Sequence, residues 1–329
     1  MNKEMYRIKK LLITFLIIIL CLSLAACNKS AVVNKNEQKR NIAFIVKMKS
    51  GDYWKTVKMG ADTAAKEFNV DIDFNAPYGE EDIEGQIELV NRAIDNKADA
   101  IIVAASDYNG LVEVIEKAYD RKIPIIIIDS EVNTEKYNSF IGTDNFDAGK
   151  KAAEILISMI GKKGNIAIMG FVKGTGNGEQ REKGFSNIIS QYSGINVISK
   201  EYCLSNIERA VILTKKIIRE NEDVDAIVAL NAISSIGVAK AIDEMNLAGK
   251  VKVVTFDSTP EEIEYLEGGV IQATIIQNPF SMGYLGVKNA VKALEKKDIK
   301  KRIDTGSKVI NIENMYLPEN QKLLFPFVK

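Results

Sequence analysis

The segment 100–129 reads AIIVAASDYNGLVEVIEKAYDRKIPIIIID, in which two short apolar runs, AIIVA at 100–104 and IPIIIID at 123–129, flank a longer stretch. Runs that are apolar at nearly every position, rather than at alternate positions, are typical of parallel strands that helices cover on both faces. The segment therefore predicts a strand–helix–strand unit within a parallel sheet.

The same alternation continues on both sides of this unit. One stretch with a helical period is 207–218, whose apolar residues on a shared face are Ile207, Val211, Ile212, Ile217 and Ile218. Further strands are predicted at 42–46, 70–74, 138–142, 165–170, 195–202, 225–230, 251–256 and 270–276. The order βαβαβαβ thus occurs twice without a shared short motif. We predict an α/β protein with two doubly wound parallel sheets, in which the segment from about 278 onward is free to return to the first sheet.

The N-terminal residues carry the features of an export signal. Basic residues precede an apolar run at 11–26, which is shorter than the ~20 residues that a bilayer-spanning helix needs. The run ends in Leu-Ala-Ala followed by Cys27, which resembles the bacterial lipobox and implies that Cys27 is lipidated. We predict a lipoprotein signal peptide at 1–26 and a lipid anchor with a flexible tether at 27–40, holding the chain at the outer face of the cell membrane. A plain secretion signal and a short anchor helix are the alternatives.

The composition narrows the classes of function. With 44 basic and 44 acidic residues and no long basic run, the chain lacks the electrostatic pattern of a nucleic-acid-binding protein. It contains no histidine, the commonest general base and transition-metal ligand, so we expect no metal, no cofactor and no enzymatic activity. After export only Cys203 keeps a thiol, and an internal disulfide is excluded.

Polar and aromatic side chains follow several predicted strands directly. In open α/β sheets, ligands bind outside the carboxyl ends of the strands. The residues at these positions are Lys47, Tyr53, Trp54, Asp129, Asn231 and Asp257. Carboxylates and amides bond to hydroxyl groups while ring faces cover CH surfaces, so this set suits a polyhydroxylated ligand.

Four segments together resemble a known family. They are IPIIIIDSEVN (123–133), SFIGTDNFDAGKKAAE (139–154), GEQREKGF (178–185) and VVTFDSTPEEIEYLEGGVIQATIIQNPFSMG (253–283). In this order they resemble the type I periplasmic sugar-binding proteins of the ribose- and galactose-binding group, the extracytoplasmic receptors of ABC importers. The resemblance implies two lobes joined by a three-crossover hinge, which close on a ligand. The lobes are expected at 41–142 plus about 278–308 and at 143–277 plus about 309–329.

The resemblance also implies roles for individual residues. It implies ligand contacts from the aromatic residues Tyr53, Trp54 and Phe256, the carboxylates Asp129 and Asp257, the amides Asn231 and Gln277, and Arg181. For the Asp and Asn residues at strand ends, helix capping is the alternative. For Arg181, the alternative is an ion pair with Glu179 or Glu182 on its own helix.

Some positions depart from the ribose-binding pattern. Ala104, Ser130 and Ala232 replace polar or charged residues of that pattern, so a ribose ligand is not expected. The positive charges of Lys47, Lys173 and Arg181 keep a ligand with an anionic group as an alternative. The preferred interpretation of Lys47 and Lys173 is that of solvated lysines at the rim of a cleft.

The predicted function is that of a monomeric, lipid-anchored solute-binding protein, which captures a small sugar or polyol and delivers it to the permease of an ABC importer. A ligand-sensing subunit for a membrane histidine kinase or chemoreceptor is the alternative, and a surface glycosidase based on Asp129 and Asp257 is a remote one. A LacI-type regulator shares the fold, but residues 28–40 are too short for its helix-turn-helix. The segment 171–180, FVKGTGNGEQ, lacks the spacing of a nucleotide loop and is interpreted as a flexible rim loop.

Overall fold

The computed structural model describes residues 5–11, 14 and 39–325. The chain divides into two units, Met1–Lys39 and Arg40–Lys329. In the first unit, residues 5–11 are helical. Most of the predicted signal peptide and tether, and Cys27 itself, lie outside the described residues. Within the described part of the chain, no helix has the length and apolar character needed to cross a membrane.

The second unit contains two six-stranded sheets. The strands of the first sheet are β1 (Asn41–Ile45), β2 (Asp71–Asn75), β3 (Ala100–Val103), β4 (Ile125–Ile128), β5 (Ser139–Gly142) and β11 (Arg302–Asp304). Their order is β11-β5-β4-β3-β1-β2, and all neighbours are parallel. The helices of this lobe are α1 (Asp52–Phe68), α2 (Ile83–Asp95), α3 (Val112–Asp120) and α9 (Pro279–Leu294).

The second sheet repeats this plan. Its strands are β6 (Lys163–Gly170), β7 (Gly194–Tyr202), β8 (Val224–Ala229), β9 (Lys252–Phe256), β10 (Ala273–Ile276) and β12 (Lys308–Asn311). The order is β12-β10-β9-β8-β6-β7, in which only β12 is antiparallel to its neighbour. The helices are α4 (Asn145–Ile160), α5 (Gly176–Ile189), α6 (Ile207–Glu220), α7 (Ala232–Glu244), α8 (Pro260–Glu267) and α10 (Pro318–Leu324).

The central strands β3 and β4 are apolar at every position because both faces of their sheet are covered. In β4, Ile126 and Ile128 belong to one apolar core, whereas Ile125 and Ile127 belong to the core on the opposite face. All four side chains are buried, and each contributes roughly 1.5–3 kcal/mol of hydrophobic stabilisation.

Each sheet has a point at which the strand order reverses. In the first sheet, β1 lies between β2 and β3, and in the second, β6 lies between β7 and β8. Because parallel crossovers are right-handed, connections that leave in opposite directions place their helices on opposite faces. The reversal opens a crevice at the carboxyl ends of the strands, where ligands bind in this class of fold.

The chain crosses between the two lobes three times. The crossovers join β5 to α4, β10 to α9 and β11 to β12. The predicted fold, two doubly wound lobes with a three-crossover hinge, is confirmed. The sequence predicts β1 to β10 and misses the short strands β11 and β12.

Candidate functional site

A cavity of about 370 Å³ lies between the lobes at the carboxyl ends of the strands. Seven of the residues predicted from the sequence line it: Tyr53, Trp54, Asp129, Arg181, Asn231, Asp257 and Gln277. The structure places Lys47 and Phe256, which we also predicted as ligand contacts, behind this lining, where both are fully buried.

Asp129 and Asp257 occupy equivalent positions in the two lobes. Asp129 follows β4 with φ of 60°, and Asp257 follows β9 with φ of 80°. Each backbone N–H donates a 3.0 Å hydrogen bond to the neighbouring strand, at Ile141 and Ile275 respectively. Asp tolerates this left-handed conformation better than most residues, so both carboxylates turn away from their sheets at the same point.

Lys47 is the centre of a buried charged cluster. Its Nζ lies 3.3 Å from Oδ2 of Asp129 and 3.9 Å from Oε1 of Glu80, and it donates a 3.1 Å hydrogen bond to Oδ1 of Asn177. The interpretation of Lys47 as a solvated rim lysine is therefore wrong. Two carboxylates of its own lobe compensate its burial. Lys173, in contrast, is exposed, with its Nζ 5.6 Å from the centre of the Tyr202 ring.

Both carboxylate oxygens of Asp129 have donors from the protein. The Tyr53 hydroxyl donates a 2.7 Å hydrogen bond to Oδ1, and Nδ2 of Asn177 donates a 3.1 Å bond to Oδ2. Burial raises the pKa of Tyr53 well above its ordinary value, and the negative charges of Asp129 and Asp257 raise it further. The phenol therefore stays protonated and holds Asp129 in place.

A second chain of hydrogen bonds joins the lobes through Glu80. The Ser205 hydroxyl donates to the Glu80 carboxylate, and Nδ2 of Asn231 donates a 3.2 Å bond to the Ser205 oxygen. Burial raises the pKa of Glu80, while Lys47 and Ser205 oppose this shift. Asn231 also caps α7, because its Oδ1 accepts a 2.9 Å bond from the backbone N–H of Ser234. The helix-capping alternative therefore holds for Asn231, although the residue also lines the cavity.

Asp257 is tied to the hinge. It accepts a 2.6 Å hydrogen bond from Nε2 of Gln277 and a 2.9 Å bond from the backbone N–H of Ala232. Oε1 of Gln277 in turn accepts a 2.9 Å bond from the Thr143 hydroxyl, so two of the three crossovers meet beside this carboxylate. Burial raises the pKa of Asp257, and the positive charge of Arg181 opposes the shift.

Arg181 reaches the cavity from α5 and is only 1% exposed. Its Nε donates a 2.9 Å bond to Oδ1 of Asn145, its Nη1 donates a 2.6 Å bond to the Leu230 carbonyl, and its guanidinium lies 4.6 Å from the centre of the Phe256 ring. Its Nη2 is buried without a hydrogen-bond partner. The alternative of an ion pair with Glu179 or Glu182 is wrong, because the planar guanidinium is held by acceptors on other elements.

Sequence reasoning missed several residues of the cavity wall. Glu80 follows β2 in the chain, and an acidic residue close to a strand end was a detectable signal. Asn177 lies in the segment interpreted as a flexible rim loop, which is wrong for its second half, because α5 begins at Gly176 and Asn177 is buried. Sequence reasoning also missed Ile207, Ile233 and Ile236, which line the cavity. Among the described residues, no group of three or more acidic or cysteine residues is placed to hold a metal ion.

Two covered sheets, a hinge and a cavity between them that is lined by charged, amide and aromatic side chains define a two-lobed ligand-binding receptor. Residues 42–298 match the model of the periplasmic binding protein domain, so the chain belongs to the periplasmic binding protein family. It is 27% identical over 259 residues to the D-allose-binding periplasmic protein of Escherichia coli (strain K12), an alignment that covers 76% of this chain and 83% of that protein.

Solved structures show the same likeness. The ABC transporter solute-binding protein from Agrobacterium vitis with bound D-fucose is 34% identical, has a TM-score of 0.85, and matches over 86% of this chain and 99% of its own. The carbohydrate transporter solute-binding protein from Agrobacterium radiobacter in complex with D-arabinose is 30% identical, with a TM-score of 0.85 over 88% of this chain and all of its own. These relatives are binding proteins of transport systems and not enzymes, which agrees with the expectation of a non-enzymatic receptor.

Proposed function

We propose that this protein is an extracytoplasmic receptor that captures a monosaccharide or sugar-like polyol between its lobes and delivers it to the permease of an ABC importer. The observation that carries the proposal is the interlobe cavity, where Asp257, Arg181 and the aromatic residue Trp54 converge at strand carboxyl ends. The relatives with bound D-fucose and D-arabinose support it.

The chemistry of this wall matches that of a carbohydrate. A sugar hydroxyl both donates and accepts, so it can accept from the free Nη2 of Arg181 and donate to a remaining lone pair of Asp257. The Trp54 and Tyr53 rings meet edge to face, with centres 5.1 Å apart, and offer apolar surface for the CH groups of a sugar ring.

Capture would proceed by closure of the lobes. The cavity takes wall residues from both lobes, so a ligand makes its full set of contacts only in the closed form and shifts the population toward that form. Asn177 and Ser205 of the second lobe already bond to Asp129 and Glu80 of the first, and these contacts add to those of the ligand.

The proposed function includes a lipid anchor on Cys27 and a permease as the membrane partner. Cys27 would carry the lipid, and the polar residues up to 40 would form the tether by which a monomer reaches a permease in the same membrane. Cys27→Ala tests this part. We expect the variant to lose membrane association and to lack the mass increase of acylation, and an unchanged membrane fraction would contradict the anchor.

Trp54 provides the direct test of ligand capture, because it is the only tryptophan and it lines the cavity. The protein would be titrated with monosaccharides, polyols and sugar acids, while tryptophan emission and the melting temperature are followed. A ligand present at 100 times its Kd stabilises the folded state by about 2.7 kcal/mol and raises the melting temperature.

Calorimetric titration of variants tests whether the sugar binds in this cavity. Asp257→Ala and Trp54→Phe should weaken binding of the sugar identified in the titration, while Asp95→Ala, which changes an exposed carboxylate, should not. If Asp257→Ala and Trp54→Phe both bind that sugar as tightly as wild type, the assignment of the cleft is wrong.

A further inference from the structure

One side of the cavity wall is aliphatic. Ile207 begins α6, and Ile233 and Ile236 lie in the first turns of α7. All three line the cavity, and Ile207 and Ile233 are only half buried. They are neighbours because α6 and α7 pack closely: a Cβ added to Gly237 would lie 2.3 Å from Cβ of Ala210. We call Ile207, Ile233 and Ile236 the isoleucine patch.

The isoleucine patch and Arg181 come from opposite faces of the second sheet. The connection from β6 to β7 carries α5 and Arg181, whereas the connections from β7 to β8 and from β8 to β9 run in the opposite direction and carry α6 and α7. Right-handed crossovers therefore place α5 on one face and both α6 and α7 on the other. A ligand in the cavity meets the guanidinium from one side and the isoleucine patch from the other.

Two polar side chains beside the isoleucine patch, Asn231 and Ser205, already have partners, and the acidic residue Glu261 at the edge of the cavity is exposed. Oδ1 of Asn231 accepts from Ser234, and its Nδ2 donates to Ser205, whose hydroxyl donates to Glu80. A ligand hydroxyl buried at this side would give up its hydrogen bonds to water and find few groups free to replace them. On the opposite side, Nη2 of Arg181 is buried without any partner.

We propose that the ligand is amphipathic, with an aliphatic group such as the methyl of a 6-deoxy sugar packed on the isoleucine patch and hydroxyl groups directed toward Arg181 and Asp257. This inference rests on the proposed function and narrows its class of ligand. Arg181 and the isoleucine patch thus lie on opposite faces of one sheet, with Asp257 at a strand end between them, and a fully hydroxylated hexose leaves the isoleucine patch without an apolar partner.

The test compares sugars that differ in one hydroxyl group. D-galactose with D-fucose, D-glucose with 6-deoxy-D-glucose, and L-mannose with L-rhamnose would each be titrated calorimetrically into the full protein. Wherever a pair binds, burial of the parent sugar's unpaired hydroxyl group costs about 1 kcal/mol or more, so we expect the deoxy sugar to bind at least about fivefold more tightly. Its heat-capacity change on binding should also be more negative, because more apolar surface is buried.

Two variants test whether the aliphatic group of the ligand lies on the isoleucine patch. Ile233→Thr and Ile207→Thr keep a β-branched side chain but add a hydroxyl group, so the preference for the deoxy sugar should fall at least about twofold in each. Ile212→Thr, on the same helix as Ile207 but 66% exposed, is the matched control and should keep the wild-type preference. Melting curves confirm that each variant is folded.

The possible outcomes are distinct. If the parent sugar binds as tightly as the deoxy sugar in every pair that binds, the inference is wrong while the proposed capture of sugars stands. A deoxy preference that neither threonine variant reduces also overturns it, because the aliphatic group would then lie elsewhere. If no sugar of any pair or of the wider panel binds, the proposed function itself is wrong.

Discussion

Lys47 and Asp129 form an ion pair inside the wall of the cleft, with Nζ and Oδ2 3.3 Å apart and side chains only 1% and 3% exposed. The same ammonium group lies 3.9 Å from Glu80 and donates to Asn177 of the other lobe. Buried charges are tolerated only when their partners are present. This pair therefore fixes the position of one wall of the cavity, and its loss has a predictable cost.

Lys47→Met keeps the length of the side chain and removes its charge, so that Asp129 and Glu80 lose their buried counter-ion. Removal of one partner from such a pair destabilises a protein by about 3–5 kcal/mol. Urea unfolding followed by Trp54 emission measures this loss. Lys58→Met is the exposed control: it removes the pair with Asp62 and a contact with the Phe74 ring, each worth about 1 kcal/mol or less. Equal losses in the two variants would show that the buried pair does not stabilise the fold.

The pH dependence of stability in the variant Glu80→Gln tests the electrostatics of the same cavity wall. Burial raises the pKa of Glu80, so the folded protein holds this proton more tightly than the unfolded chain does. The stabilisation that results is complete below the pKa of the unfolded state, roughly 4.3 for Glu, and is lost as pH rises through the higher pKa of the folded state. Glutamine cannot ionise, so the variant should gain stability relative to wild type as pH rises across this window.

Urea unfolding at a series of pH values measures that gain. Glu81→Gln removes the same formal charge from the exposed neighbouring residue and controls for the change in net charge. Asp257 and Glu262 also have raised pKa values through burial, but both remain in the variant and cancel in the comparison. A difference between Glu80→Gln and wild type that stays constant with pH would refute the role of Glu80.

The parts of the site that could be predicted from the sequence are those set by local pattern. Asp129 follows the apolar strand β4, Asp257 follows the mostly apolar strand β9, and Trp54 lies in the first turn of the helix after β1, so position along the chain was enough. The strands β1 to β10 were predictable for the same reason. The strand β11 has only three residues, too few for a pattern.

The contacts that join the lobes could not be predicted in this way. Ser205 lies 125 positions from Glu80, and Asn177 lies 130 positions from Lys47, so no local pattern relates them. A lysine after a strand is ordinarily solvated, and the burial of Lys47 depends on carboxylates that follow two other strands. The isoleucine patch was likewise hidden, because the apolar period of α6 predicts a helix without showing which residues face the cavity.

Asn177→Ala tests the contacts between the lobes. Its Oδ1 accepts from Lys47 and its Nδ2 donates to Asp129, so alanine removes two hydrogen bonds that favour the closed form. Hydrogen bonds to charged groups contribute about 1.5–3 kcal/mol each. Together the two bonds, about 3 kcal/mol or more, change the ratio of closed to open forms by roughly a hundredfold or more. A smaller closed population lowers the apparent affinity in proportion, and we expect binding of the sugar identified by titration to weaken at least about tenfold.

Small-angle scattering without ligand provides a second measurement, because a more open average form has a larger radius of gyration. Asn187→Ala, at an exposed position on the same helix, should change neither quantity. If Asn177→Ala leaves both the affinity and the radius of gyration unchanged, its two hydrogen bonds do not contribute to closure.

Arg181→Lys tests a buried donor in the cavity wall, Nη2, that the protein leaves without a hydrogen-bond partner. Lysine keeps the charge but cannot bond Asn145 and the Leu230 carbonyl, stack on Phe256 and still direct a further N–H into the cavity. A charged hydrogen bond to a ligand is worth about 1.5–3 kcal/mol, so affinity for the identified sugar should fall by roughly tenfold to a hundredfold in calorimetric titration. Arg219→Lys, an exposed change on α6, should bind as wild type does.

Because Arg181→Lys also loses hydrogen bonds within the protein, urea unfolding would be measured in parallel. A loss of stability with affinity retained within twofold would show that the guanidinium supports the wall of the cavity and does not contact the ligand.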